Sequence, residues 1–307
     1  MTVYLSEYIY PEAEKKLRKH ANVVDSFDHI EEIDAIILRN IPVTAEMMDK
    51  AKKLKVIAKH GVGCNTIDIK AAKERGIQVI YTPTANADSV AEMTAGLFLA
   101  MQRRICEADV MCRNSEFTTI APRNFLGTEI MGKTFGQIGM GNIAQRIAHI
   151  MSAGFGVRVL GYDPFISAEE AAKRGFEKVE TLEALLEQSD MVNINVPLVK
   201  STENMISGEL FDHFKPGAVF VNAARGAVIN EDDLYDALVS GKLKAAACDT
   251  FIHEPPTAEN KLLSLKNFIA TPHLGGNTEE ALRKAGAEVV EETLNVLAGK
   301  KPVHPAF

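Results

Sequence analysis

The chain contains no tryptophan and only four cysteines, Cys64, Cys106, Cys112 and Cys248. None stands in a CxxC pair or at a zinc-like spacing, and Cys106 and Cys112, six apart in a helical pattern, do not share a helix face. A disulfide framework and a thiol-built metal centre are therefore excluded, and reduced thiols in a cytoplasm are the simplest expectation. No apolar run approaches the roughly 20 residues that span a bilayer, and the N-terminus lacks the basic-then-apolar stretch of a leader. Positive charge is not in excess either: 34 Lys and Arg stand against 41 Asp and Glu, a formal net charge of −7. Broad nucleic-acid contact needs a dense basic surface and does not fit that balance. A small anionic ligand does fit, because it needs only one or two well-placed arginines. Blocks of like charge, low-complexity linkers and internal repeats are also missing.

What is present is a rhythm. The 307 residues, 46% of them hydrophobic, suffice for two domains with separate cores. Short β-branched runs alternate with amphipathic helical patterns, the mark of parallel sheets covered on both faces: an α/β chain of two doubly wound domains. Strands are predicted at Val3–Leu5, Ala35–Leu38, Val56–Ala58 and Val79–Tyr81, with helices at Pro11–His20, Thr44–Lys53 and Ile67–Arg75 between them. A long helical pattern, Ser89–Arg113, then leads to a second series of strands: Val157–Tyr162, Met191–Val196, Ala218–Asn222, Ala245–Cys248 and Phe268–Ala270. Helices are predicted at Leu182–Gln188 and Leu234–Val239 in that half, and a last one, Thr278–Leu297, is expected to cross back to the first domain.

The most specific motif is Gly139-Met140-Gly141-Asn142-Ile143-Ala144, which follows the apolar run Thr134–Ile138 and opens a helical pattern from Asn142 to Met151. Gly139 permits a tight strand-to-helix turn, Gly141 lets a pyrophosphate approach the backbone, and the small Ala144 lets helix and strand pack closely. The next strand ends at Asp163, nineteen residues past Ala144, where a carboxylate can bind the ribose hydroxyls of a dinucleotide and repel a 2′-phosphate. The predicted cofactor is NAD rather than NADP. A bland alternative is an Asp that merely starts the Asp163-Pro164 turn.

Three polar residues fall just past strands of the C-terminal half: Arg225, Glu254 and His273. Ligands of open α/β sheets bind outside the carboxyl ends of the strands, so these side chains are candidates for a reaction centre. Oxidising a 2-hydroxy acid removes the hydroxyl proton while C2 releases hydride. An imidazole suits that proton, a carboxylate on its other nitrogen would fix the tautomer, and a guanidinium can pair with the substrate carboxylate. Ordinary packing and surface roles are the competing account of all three.

Together, His60-Gly61-Val62-Gly63, Ser89-Val90-Ala91-Glu92, Gly136–Ala144, Asn222–Gly226, Asp249-Thr250-Phe251 with Glu254-Pro255, and Thr271–Gly276 resemble the D-2-hydroxyacid dehydrogenase family, nearly end to end and in its order. Within it the chain looks most like the branch acting on 3-phosphoglycerate. The resemblance implies a discontinuous flavodoxin-like substrate domain (1–97 and 282–307), a Rossmann NAD domain (98–281) and an active site in the cleft between them. It implies Arg225 on the substrate carboxylate and carbonyl, Glu254 paired with the histidine, and His273 as general acid/base. Asn142 and Ile143 would meet the pyrophosphate, Asp163 the ribose, and Val196 and Pro197 the adenosine side. Asp249 with Ala223 would hold the carboxamide, and Gly275 and Gly276 would lie against the nicotinamide ring. Val62 and Gly63 would bind the substrate carboxylate by backbone N–H groups, with Asn86 nearby.

For a substrate phosphate the resemblance points to Arg39 and to Lys59; a solvated strand-end cation is the other reading, and the preferred one for Lys59. Ile41, where some relatives carry a second arginine, weakens the phosphate assignment, and Arg123 of a second subunit is a candidate replacement. His60 is expected either to line the cleft or to pack. A homodimer built through the helix after Ser89 and the segment to Thr128 is implied, with Ile120, Phe125 and Leu126 against the partner. No metal, membrane or nucleic-acid partner is expected. A chain ending at Phe307 leaves no room for a C-terminal regulatory domain, so serine feedback is not expected. Reduction of hydroxypyruvate, glyoxylate or another 2-keto acid, and an NAD(H)-sensing corepressor-like role, are the alternative functions.

Overall fold

The structure, a computed structural model, describes all 307 residues and divides into two compact units, Met1–Asn86 with Gly276–Phe307, and Ala87–Gly275. The boundaries lie before those expected at 97/98 and 281/282, because the helix beginning at Ala87 packs along its whole length within the second unit.

In the first unit, β1 (Thr2–Leu5), β2 (Asn22–Val24), β3 (Ala35–Leu38), β4 (Val56–Lys59) and β5 (Gln78–Tyr81) form a parallel sheet in the order β2-β1-β3-β4-β5. That is the flavodoxin-like order, with its switch point between β1 and β3. The fully buried β3, and β4 as far as Ala58, read as continuous apolar runs for that reason. The short β2 was not anticipated; its residues are at most half-buried and carry no apolar alternation. Helices α1 (Pro11–His20), α2 (Ala45–Lys50) and α3 (Ile69–Glu74) connect the strands, with Thr44 and Asp68 accepting from the backbone N–H groups of Met47 and Ala71 as caps. The last helix, Glu279–Leu297, capped by Thr278, buries Val289, Val290 and Val296 against the sheet face that α1 also covers.

The second unit holds a seven-stranded parallel sheet of β6 (Thr134–Ile138), β7 (Arg158–Tyr162), β8 (Glu177–Lys178), β9 (Met191–Ile194), β10 (Ala218–Asn222), β11 (Leu243–Cys248) and β12 (Phe268–Ala270). Its order, β12-β11-β10-β9-β6-β7-β8, is the dinucleotide-binding one extended by a strand, reversing between β6 and β9. The predicted long helix is two: α4 (Ala87–Arg103) and α5 (Ile105–Arg113). The break sits at Arg104, which adopts a left-handed φ of 51°. Its guanidinium lies 3.7 Å from the Phe125 ring centre and donates to Asn124 O at 2.6 Å, contacts that a continuous helix pattern does not reveal. Helix α6 (Asn142–His149) runs into a π turn at Ile150–Gly154, beyond the Met151 end expected for it. Helices α7 (Ala168–Lys173), α8 (Leu182–Gln188) and α9 (Glu231–Val239) complete the layers. No helix is long and apolar enough to cross a membrane.

The β5 edge of the first sheet is covered by residues 303–306. Pro305 bridges Ile80 in antiparallel sense, Ala306 N donates to Val79 O at 2.8 Å, and buried Glu292 accepts from Val303 N and His304 N at 2.5 and 2.6 Å. An edge strand so covered cannot template pairing with another chain. Replacing Glu292 by Gln is expected to cost about 1–2 kcal/mol through the loss of these charge-assisted bonds. Amide exchange at Ala306 should then quicken; unchanged exchange would show that Glu292 does not hold the tail.

Candidate active site

In the second unit the carboxylate of Asp249, directly after β11 and 1% exposed, organises the loop around His273. Its Oδ1 accepts from Thr271 Oγ1 and from Leu274 N, both at 2.7 Å, and its Oδ2 accepts from Gly275 N at 2.8 Å. Its backbone carbonyl accepts from His273 N, also at 2.8 Å. These bonds bracket His273, whose φ of 57° is left-handed, a conformation costing a non-glycine residue about 1–3 kcal/mol. Asp249, which the resemblance places at a cofactor carboxamide, bonds the residues around the histidine.

His273 Nδ1 lies 2.9 Å from Glu254 Oε2, so with the ring neutral it donates its proton to the carboxylate and presents Nε2 on the other side. Both side chains are part-exposed. Glu254 is fixed in turn, its Oε1 accepting from Phe251 N at 3.0 Å. Burial alone would raise the Glu254 carboxyl, but the His273 hydrogen bond and charge, the Phe251 N–H and the Arg225 charge together hold it below the usual carboxylate range. Glu254 is therefore ionised at neutral pH.

Arg225 follows β10 on a turn tied by the buried Asn222 side chain, which donates to Arg225 O at 2.9 Å and accepts from Ala224 N at 3.0 Å. The next residue explains how this loop meets the Glu254 loop. A Cβ on Gly226 would lie 2.0 Å from the Phe251 carbonyl carbon and 2.3 Å from Ile252 N. Only glycine lets the two backbones touch there, which brings the Arg225 charge within reach of Glu254. Arg225, Glu254 and His273 thus belong to one loop cluster at the carboxyl ends of β10, β11 and β12.

The dinucleotide turn lies at the β6/β9 reversal. Gly139 has a φ of 83°, and a Cβ there would stand 2.5 Å from Asn195 O. Gly141 is exposed and offers α6 no side-chain cap, so an anion can take that place; Asn142 is exposed and Ile143 half-buried behind it. Asp163, at the end of β7, accepts from Met140 N at 3.1 Å and from Phe165 N at 3.0 Å, which sets its carboxylate beside the turn. Val196 also borders Gly139, with Pro197 exposed after it, and Ala223 is half-buried at the end of β10. This cradle, which a single Cβ would fill, and the carboxylate next to it fit a dinucleotide without a 2′-phosphate. Gly275 is buried against Asp249, whereas Gly276 belongs to the first unit, where an added Cβ would lie 2.9 Å from Asn86 Nδ2.

The first unit carries the other candidates. Arg39, half-buried after β3, has its backbone N–H bonded to Glu7 at 2.7 Å, and Asn40 N bonds the same carboxylate at 2.8 Å. Lys59 is 6% exposed and its ammonium donates to Arg39 O, so the reading of Lys59 as a solvated cation is corrected: β4 lies between β3 and β5 and its end is buried. His60, also 6% exposed, is pushed down to about 4 by burial, reinforced by the Arg39 charge, and its Nε2 has no hydrogen-bond partner. Val62 and Gly63 are half-buried in a loop clamped by Thr82, whose hydroxyl accepts from Gly61 N at 2.9 Å. Asn86 presents a buried Oδ1 that no donor meets. Glu7, Thr82 and Asn222 escaped the sequence reading. Each ends or follows a strand, and an even-handed survey of polar strand ends would have found them.

Residues 95–275 match the family model for the D-isomer specific 2-hydroxyacid dehydrogenase NAD binding domain. The chain is 42% identical over 274 residues to the D-3-phosphoglycerate dehydrogenase of Methanocaldococcus jannaschii, an alignment covering 89% of this chain and 51% of that protein. It is 39% identical over 307 residues to the hydroxypyruvate reductase of Thermotoga maritima, covering 96% and 98%. The chain thus spans about half the length of the M. jannaschii relative and nearly all of the T. maritima one. Among solved structures, a Thermus thermophilus protein matches with a TM-score of 0.91 at 31% identity, covering 100% of both chains. A D-lactate dehydrogenase from Aquifex aeolicus, complexed with NAD and lactic acid, matches with a TM-score of 0.86 at 27% identity, covering 97% and 96%.

Two outcomes follow from this geometry. Gly226→Ala should cost more than ~3 kcal/mol or prevent folding, as a forced backbone clash does; a melting temperature within a few degrees of the parent would contradict the contact. For His60, the unfolded imidazole titrates near ~6.5 and the folded one at about 4. Between those values the unfolded chain binds the additional proton, so stability is full above pH ~6.5 and falls as pH drops toward 4, by up to ~3 kcal/mol. Denaturant midpoints across that range should lose this slope in His60→Asn; an equal slope would remove the assignment.

Proposed function

The chain belongs to the D-isomer specific 2-hydroxyacid dehydrogenases, and from that premise we propose that it interconverts a small D-2-hydroxy acid and its 2-keto acid with NAD. The observation that carries the reading is the His273–Glu254 pair, held by Asp249 in a strained backbone conformation within the same loop cluster as Arg225. Bound at the Gly139–Gly141 turn, with Asn142, Ile143, Asp163 and Val196 around it, NAD supplies the acceptor or donor of hydride. His273 delivers a proton from Nε2 to the C2 oxygen in reduction and takes it back in oxidation. Glu254 keeps the ring oriented and stabilises its charged form, while Arg225 pairs with the substrate carboxylate.

The substrate we favour is 3-phosphoglycerate. Arg39 follows β3 beside the Val62-Gly63 loop, a cation suited to a second anionic group, and the buried Lys59 ammonium holds the Arg39 backbone carbonyl. A second reading, hydroxypyruvate, is favoured by Glu7, whose carboxylate accepts from the backbone N–H groups of Arg39 and Asn40 and would repel a phosphate. Subunit pairing is also part of the proposal: Ile105, Val110, Ile120, Leu126 and Met131 are between 53% and 100% exposed along one stretch of the second unit, an apolar surface suited to a second copy.

Comparing kcat/KM for phosphohydroxypyruvate, hydroxypyruvate, glyoxylate and 2-ketoisocaproate tests this. The phosphorylated acid should lead, and Arg39→Ala should reduce its kcat/KM about tenfold or more, the loss of a charge-assisted contact. A lead for hydroxypyruvate that survives Arg39→Ala would favour the second reading. His273→Asn should lower kcat by about 100-fold or more with every acid; full activity in that variant would contradict the mechanism.

A further inference from the structure

Beneath the dinucleotide turn lies a feature that the proposed chemistry does not use. Gln137 on β6 and Asn193 on β9 are both 0% exposed, in positions whose neighbours on the same sheet face, Phe135, Met191 and Val221, are apolar. Burying two carboxamides in such a layer is unfavourable unless their atoms are paired. They are paired with each other and with Asn195, one residue past the end of β9.

The pairing has a direction. Gln137 Nε2 lies 3.0 Å from the Ile138 carbonyl, which can only accept, so that end of the amide is the donor and Gln137 Oε1 is the acceptor. Gln137 Oε1 receives Asn193 Nδ2 at 2.9 Å. Gln137 Nε2, at 3.3 Å, and Asn193 Nδ2 then both point at one atom of Asn195, which must be its oxygen, Oδ1. The Asn195 amide is thereby fixed with Nδ2 on its far side, where no acceptor of the protein meets it. Asn193 Oδ1 stays buried without a partner, a cost tolerated in keeping this polarity.

The outward Nδ2 stands at the carboxyl end of β9, in the residue whose own carbonyl would collide with a Cβ on Gly139. That is the switch point of the sheet, against the turn that receives the diphosphate. We propose that Asn195 donates a hydrogen bond to an oxygen of the diphosphate-ribose portion of NAD, and that Gln137 and Asn193 are positioning residues that hold the amide donor-outward. The proposal rests on cofactor binding by the second unit.

Asn195→Asp tests it, because the aspartate retains an oxygen for Gln137 and Asn193 and replaces the outward donor by a negatively charged acceptor. Binding is read by the fluorescence of NADH, free of tryptophan background in this chain, and by competition with ADP-ribose and AMP. The proposal expects NADH and ADP-ribose affinity to fall at least tenfold in Asn195→Asp with the melting temperature within a few degrees of the parent, and AMP to be affected less. Gln137→Leu should weaken NADH binding as well, and the double variant should bind no worse than Asn195→Asp alone, since both changes remove one contact. Unaltered NADH affinity in Asn195→Asp, or fully additive losses, would overturn the contact. A parent protein that binds no NADH would overturn the cofactor reading and the contact with it.

Discussion

The buried carboxylate of Asp249 is the constraint on which the proposed reaction centre depends. A carboxylate at 1% exposure is tolerated only when its lone pairs are engaged, and here Thr271, Leu274 and Gly275 engage them. Those three residues flank His273 on both sides, so the cost of burying the charge is offset by bonds that also hold the histidine in a left-handed conformation. The strain and the buried charge stabilise each other. Their combination fixes where the imidazole sits relative to the ends of β10, β11 and β12.

Around that anchor the second unit repeats one device, a small residue that allows two backbones to meet. At Gly226 the Arg225 and Glu254 loops come into contact, and at Gly139 the dinucleotide turn closes on the end of β9. The parallel sheet supplies the rest, since every loop in question leaves a strand at its carboxyl end. The proposed chemistry and cofactor sites consequently lie along one edge of a single sheet although they are dispersed over more than a hundred residues of sequence. The first unit follows the same plan with Glu7, Arg39, Lys59 and Thr82 at its own strand ends.

Much of this was legible in the chain. Periodicity gave nearly every buried strand, because a sheet covered on both faces demands continuous apolar runs, and cap residues such as Thr44 and Thr278 marked helix starts. The dinucleotide turn was readable because its glycines answer to backbone geometry alone. What escaped detection depends on contacts distant in sequence. The break at Arg104 arises from the Phe125 ring and the Asn124 carbonyl, the burial of Lys59 from the place of β4 between β3 and β5, and the partners of Asp249 from a loop more than twenty residues later. Local pattern cannot signal such pairings. Polar residues in apolar strands, Gln137 and Asn193, were visible as anomalies only once their shared sheet face was known.

The central claim is that this scaffold transfers hydride to one face of C2 while His273 supplies the proton. The most direct test is reduction of a 2-keto acid with NADH carrying deuterium at nicotinamide C4, followed by chiral analysis and mass spectrometry of the product. The account predicts a 2-hydroxy acid of D configuration with the deuterium at C2. An L product, or a product without the label at C2, would contradict it.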